Sequence, residues 1–347
     1  MTPVELPGEL AGVTAEWLSA ALSQDRPGTR VATVRRGAPT VRFAAGVPLA
    51  VTYAANPAGL PEALYLKTTL GLDVGRLRAA AARETRFYTE FARTVPVRVP
   101  ECFFAATDDR TGHSVLVLAD LSGAARFGDP RRPLGVAELR DGLAQLALLH
   151  AAWWDAPPAG VEPYPGDLRP VVLGLLAGDG WRRALDRPAG SLVPQPLRSP
   201  ALVVEATERM WRLQDGQAVT VLHGDPHLGN TYTGVDGRLG FLDWQALSAG
   251  PYAYDVTRYL VGSASVAVRR RYERELLLGY LEALRRRGVA QPPTPTEAWT
   301  AYRRNVLHGL RFLCTPPGTY PEAAIEAYVR RCVAAAEDLQ ALAALGL

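Results

Sequence analysis

Apolar and polar positions along the chain change their period early. From Val31 to Thr69 they alternate between Gly and Pro breaks, the two-residue period of strands and hairpins. The last of these runs, ALYLKTTL (63–70), carries Lys67. Ahead of them, TAEWLSAALS (14–23) spells a short helix with Thr14 as its N-cap; Trp17 stands at N3, so no Thr–x–x–Glu capping box is completed. Behind them, residues 76–94 take helical spacing, with Leu77, Ala81, Tyr88 and Phe91 on one stripe and Arg83, Arg86 and Arg93 on other faces. SVLVLADLSG (114–123) reads as a buried strand leaving into a Gly-containing linker. The expectation is an α+β chain in two lobes: a small β-rich N-terminal lobe, residues 1–118, and a larger, mostly helical C-terminal lobe, residues 119–347. In the latter, 136–154 and 202–214 are amphipathic helices separated by a Pro/Gly-rich stretch. Helices resume near 254 and are interrupted at 288–295 and 315–321.

Glu84 breaks the apolar stripe of the 76–94 helix, and a charge there needs either water or a partner. One reading is an edge-of-stripe carboxylate that reaches solvent. The other is an ion pair with Lys67 on the preceding strand. Composition sharpens the second: of 38 basic residues one is a lysine, Lys67, and the rest are arginines. A lysine kept where arginine is the default cation is a candidate for a task a forked guanidinium performs badly, such as reaching phosphate oxygens as a point charge. The net charge of +3 gives no electrostatic footprint for nucleic acid. No apolar run approaches membrane-spanning length, and neither a membrane nor a secretory leader is expected. Cys102, Cys314 and Cys332 lie far apart, which fits a reducing, cytoplasmic compartment.

The chemistry concentrates in VLHGDPHLGNTYTGVDGRLGFLDWQ (221–245). Gly and Pro make 223–230 a loop, and two short strand-like runs follow, joined by Asp236-Gly237. With those two residues as the whole turn, Val235 faces Arg238, Tyr232 faces Phe241 and Asn230 faces Asp243. Directly opposed side chains have Cβ atoms about 5 Å apart, so an amide oxygen and a carboxylate meet in a pair suited to Mg²⁺. Asp225 precedes Asn230 by five residues, the spacing at which a kinase loop sets its base and its metal-holding Asn, and Asp243-Trp244-Gln245 stands where Asp-Phe-Gly stands. One cation, two metal ligands and one carboxylate base suffice to neutralise a triphosphate and align an alcohol.

HGDPHLGN followed by FLDWQ resembles the aminoglycoside phosphotransferase/choline kinase superfamily, whose signature is His-Gly-Asp-x-His-x-x-Asn with a later Asp-Trp/Phe. TAEWLSAAL, LYLK, RETRFY and GPYAYDVTRYL (250–260) are most similar to its ecdysteroid-kinase-like branch. The resemblance spans about residues 10–340 and implies a protein-kinase-like two-lobed fold binding ATP or GTP. It makes Asp225 the catalytic base and Asn230 and Asp243 the Mg²⁺ ligands. Lys67 then contacts the α/β-phosphates and Glu84 orients it. His227 either lies near the γ-phosphate or packs; His223 braces the loop, and Asp255 anchors the loop's backbone. His113, His150 and His308 show no ligand spacing.

The pattern departs from relatives in places. There is no GxGxxG; the corresponding hairpin (35–53) offers Gly37, Thr40 and Gly46 toward phosphate. The hinge LVLADLSG places Ala119 and Leu121 at the nucleotide, with Ala119 where an acidic residue is common. Gln245 replaces a frequent third metal ligand. The expected activity is transfer of a γ-phosphoryl group to a hydroxyl of a small molecule. Alternatives are a Ser/Thr acceptor in a peptide or a retired kinase fold that only binds. The expected partners are nucleotide and a small hydroxylated metabolite, in a monomer or homodimer. Arg269–Arg271, Arg285–Arg287, Arg303 and Arg304, read mostly as solvated faces, do not favour a polycationic aminoglycoside.

Overall fold

The structure is a computed structural model that describes residues 4–75 and 77–347. The chain divides into two compact units. The first comprises the chain to Thr94 with Val99–Ala125 and Asp243–Ala246, and the second comprises Val95–Arg98, Arg126–Leu242 and Leu247–Leu347. Among the described residues no helix is long and apolar enough to cross a membrane.

In the first unit, α1 (Ala15–Ser23) starts where expected, with Thr14 Oγ1 accepting the Trp17 N–H. The strands are β1 (Arg30–Arg36), β2 (Thr40–Val41), β3 (Ala45–Ala55), β4 (Ala63–Thr68), β5 (Cys102–Thr107) and β6 (Ser114–Ala119), separated between β4 and β5 by the helix α2 (Arg78–Arg86). They form one antiparallel sheet ordered β1-β3-β4-β6-β5, with β2 on β3. Alternation does not announce β5, because CFFAAT is a short apolar run without period. One face of the sheet (Val47, Leu49, Leu64, Leu66, Val115, Val117) is buried against Leu18, Ala21 and Leu22 of α1. Each such fully buried side chain contributes roughly 1.5–3 kcal/mol.

Because successive strand residues point to opposite faces, Tyr65 and Lys67 share the other face. There Gly46 pairs across to Lys67, which pairs on to Leu116. Gly46 has a steric reason of its own: a Cβ there would lie 1.9 Å from Tyr65 Oη.

The helix expected over 76–94 is regular only to Arg86; Arg76 lies outside the described residues. From Phe87 to Phe91 it widens into a π-turn, with the Ala92 N–H donating to Phe87 O at 2.8 Å. The wider turn rotates the stripe, so Phe87 is buried with Tyr88 and Phe91, while Leu77 and Ala81 are only half-buried.

The second unit holds β7 (Ala125–Phe127), β9 (Thr231–Gly234) and β10 (Leu239–Phe241) in one small sheet, and β8 (Val219–Leu222) with β11 (Ser248–Pro251) in another. Around them lie α3 (Val136–Ala152), α4 (Leu168–Leu176), α5 (Gly178–Leu185), α6 (Pro200–Arg212), α7 (Ala253–Ser263), α8 (Val266–Arg286), α9 (Pro295–Asn305), α10 (Glu322–Asp338) and α11 (Ala341–Leu345). The solvated-face reading holds for Arg270, Arg271 and Arg285–Arg287 and fails at Arg269. That side chain is buried, bonded to Glu273 Oε2 at 2.7 Å and to Asp338. Arg303 and Arg304 are half-buried and cap the carbonyls of Leu339 and Ala344.

His308 is buried and its Nε2 accepts the Tyr254 hydroxyl, which in turn accepts from Arg311 Nη2 at 2.8 Å. Burial first, then the charges of Arg311 and Arg258, hold its imidazole well below the ordinary histidine value.

Two predictions follow from this packing. Gly46→Ala is expected to cost about 1–3 kcal/mol by overpacking against Tyr65, read by urea unfolding. Tyr65→Ala should recover part of that loss in a double-mutant cycle. His308 has a folded value below its unfolded one, so the unfolded chain takes up its proton first. Stability should therefore fall as the pH drops below about 6.5, by up to ~1.4 kcal/mol per unit. Melting curves of His308→Gln should lack this component, and an unchanged slope would show that the imidazole is not held neutral.

Candidate active site

Within the first unit, Lys67 Nζ lies 2.8 Å from Glu84 Oε1, 2.7 Å from Glu84 Oε2 and 2.6 Å from Asp243 Oδ1. The ion pair expected between Lys67 and Glu84 is present, and Glu84 is 4% exposed, so the solvent-reaching alternative falls. Burial alone would lower the Lys67 ammonium, but the carboxylates of Asp243 and Glu84 outweigh it and raise it above its ordinary value. Glu84 Oε1 also accepts the Trp244 N–H at 3.3 Å, and Arg83 Nε donates to Gln245 O at 3.0 Å. The Trp244 indole stacks on Phe87 with centroids 3.6 Å apart and planes 4° from parallel. The π-turn thus supplies the ring on which the Asp-Trp-Gln segment rests.

Asp243 itself takes φ +65°, a left-handed conformation that costs a non-glycine residue roughly 1–2 kcal/mol. Its Oδ2 accepts from Gln245 Nε2 at 3.2 Å. Of the other expected nucleotide contacts, Gly46 sits opposite Lys67 and Thr40 opposite Gly46. Ala119 ends β6 opposite Leu64, and Leu121 follows in the next turn. A small cleft of ≈ 20 Å³ adjoins Lys67, lined by Phe43, Thr69, Ala81, Glu84 and Gln245 among others.

Within the second unit, the 223–230 loop hangs from Asp255. The His223 and Gly224 N–H groups donate to its Oδ2 and Oδ1 at 2.7 and 3.0 Å, as expected of a backbone anchor. Beneath it, His150 bridges Asp255 Oδ2 (3.3 Å) and the Tyr280 hydroxyl (2.7 Å), a buried network rather than a surface histidine. His223 accepts the Asp225 N–H at Nδ1 (3.3 Å), so its Nε2 donates to Leu242 O at 3.0 Å. It braces the loop.

Asp225 accepts from Arg258, with Nε and Nη2 at 2.7 and 2.5 Å from Oδ1. His227 is packed, with Nδ1 accepting the Gly229 N–H at 3.0 Å and Nε2 3.5 Å from Asp225 Oδ2. Burial would raise the Asp225 acid, but Arg258, then His227 and Arg311, hold it well below the carboxylate range. Asn230 Nδ2 donates to Asp225 O at 2.9 Å, which leaves its carbonyl oxygen as the ligand-capable atom.

The hairpin register differs from the expected one by a residue. Thr233 faces Leu239, Tyr232 faces Gly240 and Thr231 faces Phe241. Asp236-Gly237 are the last two residues of a three-residue loop, closed by the Gly234 N–H on Arg238 O at 2.9 Å, with Gly237 at φ +76°. Tyr232 decides the register: a Cβ on Gly240 would sit 2.4 Å from Tyr232 Cζ, so the ring occupies the space that glycine leaves. Asn230 therefore pairs with Leu242, whose N–H reaches Asn230 O at 2.8 Å, and not with Asp243. The ladder therefore does not set Asn230 opposite Asp243.

Sequence reasoning missed Arg258 as the partner of Asp225. Its signal is local: on α7, Arg258 lies one turn after Asp255 and on the same face, so the residue anchoring the loop's backbone is followed by one reaching its carboxylate. Phe87, read only as part of a helix, and Tyr65, beside Lys67 on the strand face, were missed as well.

The sequence profile of the phosphotransferase enzyme family matches residues 69–298. That span takes in Glu84, Asp225, Asn230, Asp243, Asp255 and Arg258 and begins two residues after Lys67. No curated protein sequence matches the chain. Among solved structures it is similar to an ethanolamine kinase of Plasmodium vivax (TM-score 0.53, 12% identity, 87% of this chain and 81% of that one). It is also similar to a choline/ethanolamine kinase family protein from Mesorhizobium loti (0.50, 17%, 95% and 97%). A third is a spectinomycin phosphotransferase solved with ADP and spectinomycin (0.50, 11%, 95% and 99%). These likenesses are of fold: an α+β, protein-kinase-like fold with an antiparallel sheet in its N-terminal part and helices in its C-terminal part. With the profile matching well over half of its length, the chain belongs to the phosphotransferase enzyme family.

Proposed function

We propose that the protein transfers the γ-phosphoryl group of ATP to a hydroxyl of a small molecule. The observation that carries this reading is Lys67, a single cation gripped by two carboxylates from separate segments, Glu84 and Asp243. Such an ammonium is fixed in position and kept charged for phosphate oxygens. ADP in the spectinomycin phosphotransferase supports a nucleotide as co-substrate, with GTP as the alternative donor. Thr40, Gly46, Ala119 and Leu121 line the nucleotide in this reading. The first unit is then the nucleotide-holding lobe and the second the lobe of the base and acceptor. The TAEWLSAAL, LYLK, RETRFY and GPYAYDVTRYL segments support placement in the ecdysteroid-kinase-like branch. The free cysteines Cys102, Cys314 and Cys332 support a reducing, cytoplasmic setting.

In the reaction, Asp225 accepts the acceptor's hydroxyl proton as the new O–P bond forms and the nucleoside diphosphate leaves. Arg258 fixes Oδ1, so the proton goes to Oδ2, the oxygen beside His227 Nε2. The donor set fits a hard cation: Asn230 offers a carbonyl oxygen and Asp243 a carboxylate oxygen. Mg²⁺ held by these oxygens would supply charge neutralisation for the triphosphate. Gln245 spends its amide on Asp243 Oδ2 and adds no carboxylate.

Asp225→Asn should lower kcat by about 10²–10⁴-fold while leaving nucleotide affinity nearly unchanged. A variant that kept wild-type turnover would sink the assignment of this loop. Lys67→Arg keeps the charge but not the shape. It should lower kcat/KM for nucleotide by on the order of 10-fold or more, while shifting Tm by only a few degrees. Near-normal kinetics would show that the lone lysine has no special task.

A further inference from the structure

The charges of two arginines, Arg258 and Arg311, bear on the Asp225 carboxylate. Arg258 from α7 is buried and bonded to Asp225, and its Nη1 remains buried without a partner among the described residues. Arg311, from the turn 306–314 beyond α9, also acts on Asp225. It is only half-buried, and its Nη2 donates to a neutral group, the Tyr254 hydroxyl, at 2.8 Å. Among the described residues no carboxylate pairs with Arg311. His308 beside it stays neutral. The rings of Tyr254, Tyr164, Phe312 and Tyr328 pack around these groups: Tyr164 lies 4.1 Å from Tyr254, Phe312 lies 4.2 Å from Tyr328, and Arg258 lies over Tyr328 at 5.5 Å. Arg258 thus grips the Asp225 carboxylate, and Arg311 sits on the neighbouring Tyr254 hydroxyl. Arg258 has an unmet buried donor, and Arg311 is half-buried on a neutral hydroxyl. Buried donors left unpaired are costly and call for a partner, and the partner guanidinium favours is an oxyanion.

We propose that the acceptor is an anionic alcohol, whose carboxylate or phosphate is bound by Arg311 with Arg258 beside it while its hydroxyl is presented to Asp225. This rests on the reading of Asp225 as the base. It excludes amino alcohols and aminocyclitols, whose ammonium groups Arg258 and Arg311 repel.

The test is calorimetric titration of the full chain, without nucleotide, with inorganic phosphate and separately with acetate. The variants are Arg311→Gln, Arg311→Lys and Lys67→Met. Wild type should bind one of the two anions saturably, which names the anionic group. Arg311→Gln should weaken binding by about 10-fold or more, in line with loss of a charge-assisted contact. Arg311→Lys should restore much of it, which a merely structural role would not, and Lys67→Met should leave it unchanged. No saturable binding of either anion below about 50 mM overturns the proposal. So does binding lost in Lys67→Met but kept in Arg311→Gln, because the anion site would then be the nucleotide's.

Turnover with MgATP and glycerate, glycerol 3-phosphate, glycerol or choline is the second arm. An anionic acceptor should be preferred, with Arg311→Gln raising its KM and leaving nucleotide KM alone. Faster turnover of choline overturns the proposal, and where none of the four is turned over the anion titration decides. The kinase reading fails separately, through absence of a Lys67-dependent thermal shift with MgATP.

Discussion

An ammonium partly withdrawn from water needs compensation, and Lys67 obtains it from Glu84 and Asp243 together. Much of the first unit is arranged to make that possible. The β4 strand must present Lys67 on the face away from α1, which it does because Leu64 and Leu66 occupy the α1 face. The α2 helix must turn a carboxylate inward at Glu84, and its widening after Arg86 brings Phe87 under Trp244. Asp243 must then leave the β10 ladder, and its left-handed backbone makes the turn. Four residues, Asp243–Ala246, consequently belong to the first unit although the chain on either side of them belongs to the second.

The second unit solves a different electrostatic problem. Two consecutive N–H groups at the start of the 223–230 loop converge on one buried carboxylate, Asp255, which His150 also contacts. A loop tied at its backbone leaves the next carboxylate, Asp225, to be aimed by side chains. Arg258 does this with two nitrogens on one oxygen. The pairing also fixes the charge state of Asp225, so this carboxylate is ionised throughout the neutral range. Spacing along α7 couples the two tasks, since the anchor and the aiming residue are one helical turn apart.

Much of this was legible in the sequence, and the limits are physical. The order of strands and helix, the lone lysine and the charge misplaced on an apolar stripe point to a Lys67–Glu84 pair, and the burial of Glu84 decides for it. Asp255 as an anchor and His223 as a brace follow from motif position. Asp-Gly, by contrast, serves both two-residue and three-residue hairpin loops, and the dipeptide cannot say which. The answer lay across the strand, where Tyr232 requires an empty position and finds it at Gly240. Arg258 was hidden because its partner is 33 residues away along the chain, in a sequence that carries arginine almost everywhere. Arg269 misled for the same reason: periodicity places it on a helix but does not reveal Glu273 and Asp338 around it.

The lone lysine also has a consequence outside phosphate chemistry. Acylating reagents, lysine acetyltransferases and isopeptide-forming enzymes all require an ε-amine, and this chain offers one. It is clasped by two carboxylates, hence protonated and a poor nucleophile. The protein's surface, clad in arginine, is therefore close to inert toward the whole class of amine modifications. The α-amino terminus aside, any modification that does occur falls on the residue at the centre of the first unit. Stoichiometry of amine labelling in this protein is thus a direct gauge of how often Lys67 is released from its carboxylates.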